Sequence, residues 1–124
     1  MIQLDTSFLI RALVRRSTED ARLRAWLRDG ELLAIASLAW TEFLCGPVSL
    51  DAVAAAADLL DVPVAFTAQE ATLAASLFNQ TGRRRGTLVD CMIAATAIER
   101  GAALATSNRA DFERFVPFGL SLAA

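Results

Sequence analysis

Met1-Ile-Gln-Leu-Asp5-Thr-Ser7-Phe-Leu-Ile10 opens the chain. A short apolar strand runs into an acid, then into two small hydroxyl residues suited to capping a helix, then into a helical face carrying Phe8, Leu9, Ala12 and Leu13. A strand that ends on a carboxylate and turns at once into a helix begins a β-α unit, and the remaining sequence repeats that alternation. Ser17-Thr-Glu-Asp20 opens a second helix with Ala21, Leu23, Trp26 and Leu27 as its apolar positions and Gly30 as its stop. A strand at 32–36 follows, then a helix capped by Ser37 and ended by Gly46-Pro47, then an Ala-rich helix at 50–60. Residues 63–66 read as a third strand, Thr67 as the cap of a helix to about residue 81, and Gly82-Arg-Arg-Arg-Gly86 as a loop. Thr87 caps a helix stopped by Gly101; a strand at 103–105, a short helix at 110–115 and an edge strand at 119–122 complete the chain. Strands joined by helical crossovers imply a mostly parallel sheet of four or five strands covered on both faces, an α/β/α three-layer sandwich formed by one domain over residues 1–124.

Composition narrows the chemistry. All twelve basic residues are Arg, and neither His nor Lys occurs. Histidine-based nucleophilic catalysis, a phosphate-loop lysine and a Schiff base are therefore excluded. Cys45 and Cys91 lack metal-ligand spacing and read as free thiols, so structural zinc is excluded too. The 55% hydrophobic content is dispersed in runs far shorter than a bilayer span. With no export pattern at the first residues, the expectation is a cytoplasmic protein without a membrane partner. The net charge of −2 argues against a generic nucleic-acid coat.

Four acids stand out in otherwise apolar surroundings: Asp5 at the end of the first strand, Glu42 in the helix after the second, Asp90 in the first turn of its helix, and Asp111 after the 103–105 strand. In a parallel α/β sheet, functional groups gather at the C-terminal ends of the strands, so all four are expected at one edge. Crowded carboxylates repel one another and call for a cation; an all-oxygen set suits Mg²⁺ or Mn²⁺. Such a site can position water and a phosphate for in-line displacement, which makes phosphodiester hydrolysis the inferred reaction. Asp5 and Asp90 are read as direct metal ligands, with Glu42 and Asp111 completing the shell or acting through water. Thr6, Ser7, Thr106 and Asn108 are placed to orient the acids, or else simply to cap helices and form turns. For Asp111 the plain alternative is favourable placement at a short helix's N-terminus.

Arg83, Arg84 and Arg85 form the only like-charge run and suit an RNA-gripping loop, with an ordinary solvated loop as the alternative. Arg109 either touches RNA or pairs with Glu113 four residues on. Phe8, Trp26, Trp40 and Phe43, at helical spacing among Leu and Ala, read as core or dimer interface rather than base-stacking platforms. The 50–60 helix reads as a lid or interface helix.

Taken together, Leu4-Asp-Thr-Ser-Phe-Leu-Ile10, Thr41-Glu-Phe43, Asp90-Cys-Met-Ile-Ala-Ala-Thr-Ala97 and Thr106-Ser-Asn-Arg-Ala-Asp-Phe112 resemble the PIN-domain ribonucleases, and within them the VapC-type toxins. The resemblance spans almost the whole chain and keeps the four acids in family order. It implies an Mg²⁺- or Mn²⁺-dependent endoribonuclease, a homodimer, inhibition by a small VapB-type antitoxin, and an RNA substrate such as transfer or ribosomal RNA. No DNA-binding motif is present, in keeping with promoter contact being made through the antitoxin. Two departures stand out: Phe43 occupies a position often held by a smaller aliphatic residue, and any RNA-contacting surface must rely on arginine alone.

A haloacid-dehalogenase-type phosphatase also begins with a strand and an Asp, but needs a second acid where this chain has Ser7 and a lysine it lacks. A receiver domain fails for the same lysine. The alternative from another class is a catalytically silent PIN-like protein-binding module, against which the intact quartet argues.

Overall fold

The computed structural model describes all residues, Met1–Ala124. Its elements are β1 (Ile2–Leu4), α1 (Thr6–Ala12), α2 (Thr18–Arg28), β2 (Leu33–Ile35), α3 (Ser37–Cys45), α4 (Leu50–Leu59), α5 (Ala68–Gln80), α6 (Leu88–Arg100), β3 (Ala103–Ala105), α7 (Arg109–Phe112), a 3₁₀ segment (Glu113–Phe118) and β4 (Ser121–Leu122). The sheet has four strands in the order β2-β1-β3-β4, and all three pairings are parallel. Leu4, the last residue of β1, pairs with Ile35 and Ala105, the last residues of β2 and β3. The C-terminal ends of these three strands are therefore level, and whatever follows them emerges at one edge.

Ile2, Gln3 and Leu4 are all buried, so both faces of the central strand are covered. Gln3 reaches α6 by donating from Nε2 to the Ile93 carbonyl at 3.3 Å. Helices α1 and α2 pack together, as do α5 and α6, while α3 touches both α1 and α6. Phe8, Phe43 and Phe115 are the largest fully buried side chains. Trp26 and Trp40 pack partly buried against the same core, stacked on Phe8 and tilted against Phe43 respectively, each with ring centroids 5.4 Å apart. All four aromatics expected to be structural are thus committed to packing, and the enlarged residue at Phe43 is accommodated without exposure.

Several expected boundaries shift for local reasons. The third predicted strand shrinks to a single bridge between Ala36 and Val64, where Val64 donates to Ile35 and accepts from Ser37, both at 2.8 Å. Pro63 beside it has no N–H to extend the ladder. The predicted 110–115 helix is split into α7 and the 3₁₀ segment, inside which Pro117 removes a helical donor. Ser37 is the first residue of α3 and not its cap, and the Thr87 hydroxyl donates to the Arg84 carbonyl instead of capping α6. Thr67 and Ser17 cap as expected, Thr67 in a reciprocal box with Glu70.

Helix α6, which carries Asp90, ends at Gly101 with φ +64, where the backbone turns left-handed and Ala102 N–H returns to the Ala97 carbonyl at 3.0 Å. Gly101→Ala is expected to lower stability by about 1 kcal/mol in urea denaturation, because a Cβ disfavours that conformation even though nothing crowds it.

Candidate active site

Asp5 leaves β1 with an extended backbone and its N–H bonded to the Ala105 carbonyl, so its position is set by the sheet itself. Its side chain, only 4% exposed, is the N-cap of α1: Oδ1 accepts from Phe8 N–H at 2.9 Å and from the Ser7 hydroxyl at 2.8 Å. Oδ2 accepts from the Thr106 hydroxyl at 2.5 Å. The expectation that Thr6 or Ser7 caps α1 is thereby corrected: the acid takes that role, and the hydroxyls are turned toward carboxylates. Thr6 donates toward Glu42 Oε1 at 3.1 Å and lies 3.0 Å from the Ala39 carbonyl, tying α1 to α3. Ser7 also accepts from Ser107 N–H at 3.1 Å, and Thr106 accepts from Asn108 N–H at 3.0 Å. The loop after β3 is thus stitched to the loop after β1 through the Asp5 carboxylate.

Burial raises the Asp5 pKa, against the opposing hydrogen bonds from Thr106, Phe8 and Ser7. Asp90, half-buried in the first turn of α6, is raised to about 6. Burial is the main cause; the charge of Asp111 adds to it, Arg114 opposes it, and Glu42 and Asp5 add smaller contributions. Asp90 is therefore the carboxylate that senses the other three. Glu42 and Asp111 are exposed. No three of these groups close up tightly enough to enclose an ion by themselves. A hard divalent cation held by one or two carboxylates keeps several waters, so the donor set suits such an ion without a closed protein cage. The donor set is all oxygen, and the Asp90 charge, opposed first by burial and then by Asp111, is one a cation would favour.

Arg114 was not anticipated from the sequence. It sits over the Phe115 ring at 5.5 Å, its Nη1 is buried without an acceptor, and its charge reaches both Asp90 and Cys91. Three residues beyond Asp111, it reads in sequence as an ordinary surface arginine. Cys91 is buried, with its pKa raised by burial, and Cys45 is an exposed free thiol.

Of the other expected residues, Arg83 packs over the Phe78 ring at 5.3 Å and donates to Asn79 Oδ1, while Arg84 and Arg85 are exposed in the loop leading to α6. Asn108 stands at the N-cap of α7 but makes no side-chain capping bond. Arg109 does not pair with Glu113; its Nη1 donates to the Ala123 carbonyl at 2.9 Å. The two cavities, of about 290 and 220 Å³, are mainly apolar, and none of the four acids lines either. The acids occupy an open sheet edge, a shape that admits a polymer more readily than an enclosed small molecule.

The family model described as "PIN domain" matches residues 2–116. No curated protein sequence matches the chain. Among solved structures, the chain resembles one from VapBC2 of Rickettsia felis bound to a promoter DNA fragment, at 22% identity over 99% of this chain and 98% of that one, with a TM-score of 0.78. It resembles one from DNA-bound VapBC of Salmonella typhimurium at 25% identity over 98% and 96%, with a TM-score of 0.74. A third similar structure is FitAcB from Neisseria gonorrhoeae, at 19% identity over 100% and 97%, with a TM-score of 0.71.

Proposed function

This chain belongs to the PIN domain family, and on that premise we propose that it is a divalent-metal-dependent endoribonuclease acting as the VapC-type toxin of a toxin-antitoxin pair. The observation that carries the reading is the Asp5 carboxylate tied by hydrogen bonds to the loops after β1 and β3 at the open C-terminal edge of the sheet, with the charges of Asp111 and Glu42 bearing on Asp90 at the same edge. Similarity to chains from VapBC structures supports the toxin role and a small VapB-type antitoxin as partner. Any promoter contact by the pair falls to that antitoxin. No helix is long and apolar enough to cross a membrane. A homodimer belongs to the same reading, and the cytoplasm is the proposed setting for an RNA substrate such as transfer or ribosomal RNA.

Asp5 and Asp90 would hold the Mg²⁺ or Mn²⁺ ion, with Glu42 and Asp111 completing its surroundings. When bound, the ion supplies positive charge to the scissile phosphate and lowers the pKa of water. The chain's own contribution is positional. Thr106 and Ser7 fix the Asp5 carboxylate, and Thr6 restrains Glu42. Arg83, Arg84, Arg85 and Arg109 are proposed to contact RNA phosphates.

The direct test is incubation of purified protein with total RNA. Discrete fragments with Mg²⁺ or Mn²⁺, abolished by EDTA and restored by excess metal, are expected. Intact RNA under every metal condition, with no metal binding by calorimetry, would favour a silent protein-binding module instead. Thr106→Val removes the 2.5 Å hydrogen bond to Asp5 while keeping the side-chain shape. It is expected to lower the cleavage rate about 10- to 100-fold and to push the Asp5 carboxyl pKa higher in an NMR titration.

A further inference from the structure

Arg22 lies in α2, away from the four acids in sequence, yet its guanidinium is held by two aromatic rings and two backbone oxygens. Its Cζ stands 5.2 Å from the Phe8 ring centroid and 5.0 Å from that of Trp26. Its Nη2 donates to the Ala123 carbonyl at 3.2 Å and to the Ala124 oxygen at 2.6 Å. Arg109 donates to the same Ala123 carbonyl. Two cations therefore converge on one neutral acceptor, and neither forms an ion pair with a side-chain carboxylate. Burial and then the charge of Arg109 lower the Arg22 pKa, with the charge of Glu19 opposing them.

We propose that Arg22 and Arg109 form a clamp for an RNA backbone phosphate on the β4 side of the acids. A guanidinium carries five N–H donors, and the contacts above engage one nitrogen of each, leaving donors for phosphate oxygens. The clamp shares its supports with the acid edge. Phe8, whose ring faces Arg22, donates its backbone N–H to Asp5, and Arg109 follows directly from the segment that bonds Asp5 through Thr106. Along the strand order β2-β1-β3-β4, Glu42 follows β2, Asp5 ends β1, Asp111 follows β3, and the arginines meet just past β4. Two strand spacings, about 10 Å, separate the ends of β1 and β4, so the arginines lie beyond the acids along the same edge of the sheet.

This inference rests on the RNA-cleaving reading, and binding without turnover separates the two. Anisotropy of a labelled single-stranded RNA in EDTA is measured across salt concentrations for wild type, Arg22→Gln and Arg109→Gln, beside thermal melting of each protein and cleavage by the metal-loaded wild type. Each variant is expected to weaken binding about tenfold and to flatten the log–log salt dependence by about 0.7, the signature of one lost phosphate contact. Arg109 is exposed, so its variant remains informative if Arg22→Gln folds poorly. Lower melting temperatures with unchanged RNA affinity and salt slope would assign both arginines to anchoring the segment after β4 and overturn the clamp, leaving the nuclease reading intact. A wild type that neither binds nor cleaves RNA would overturn both.

Discussion

Asp90→Asn is expected to make the metal-free protein more stable while removing its activity. Ionised Asp90 is opposed by its surroundings in the folded chain, where its pKa is about 6, against an ordinary carboxylate value of 3.8. The folded state therefore binds this proton more tightly than the unfolded state does. The resulting destabilisation is full above pH 6, fades as pH falls toward 4, and is absent below the ordinary carboxylate value. At full strength such a shift is worth about 3 kcal/mol. Because the carboxylate is only half-buried, solvent screening reduces the expected contribution to about 1 kcal/mol. Melting in EDTA should place Asp90→Asn above wild type by about 3 °C at pH 8, with the two converging by pH 4. Cleavage by the same variant should fall about a thousandfold. A stable, inactive protein separates a functional acid from a structural one; a destabilised one would show that Asp90 is held by contacts the charge argument misses.

The sequence made Asp5 and the sheet edge legible for one reason: a strand only three residues long, followed immediately by a helix, leaves its terminal acid nowhere to go but the edge. It misled about capping. Thr6 and Ser7 look like the better caps, and only the tertiary arrangement shows that their hydroxyls serve Glu42 and Asp5. Arg114 and Arg22 were invisible as functional candidates because nothing in local spacing brings an α2 arginine to the segment after β4, or an arginine beside Asp111 to Asp90. Residues 63–66 carry β-branched and aromatic character, but a strand needs donors as well as shape, and Pro63 supplies none. Local chemistry thus located the acids, while the pairings that orient them depend on contacts made a hundred residues apart in sequence.

Asp5 offers the second large effect, because one carboxylate performs two separable tasks. As an N-cap it receives Phe8 N–H, and as an edge acid it contributes charge beside Asp90. Asn caps a helix about as well as Asp, whereas Ala does not. Asp5→Asn is therefore expected to retain the cap and melt near wild type, because removing a charge that burial opposes offsets the acceptor lost by the Thr106 hydroxyl, with cleavage reduced about a thousandfold. Asp5→Ala should be equally inactive but also lose about 2 kcal/mol of stability, since the Phe8 N–H and the Ser7 hydroxyl lose the acceptor that Asn would still offer. Urea denaturation and cleavage assays on the two variants separate the roles. If Asp5→Asn keeps substantial activity, the charge of Asp5 is not needed at the site and its burial serves the helix alone. If both variants are inactive and only Asp5→Ala is destabilised, the same carboxylate both starts α1 and equips the edge, so its position cannot drift without α1 moving too.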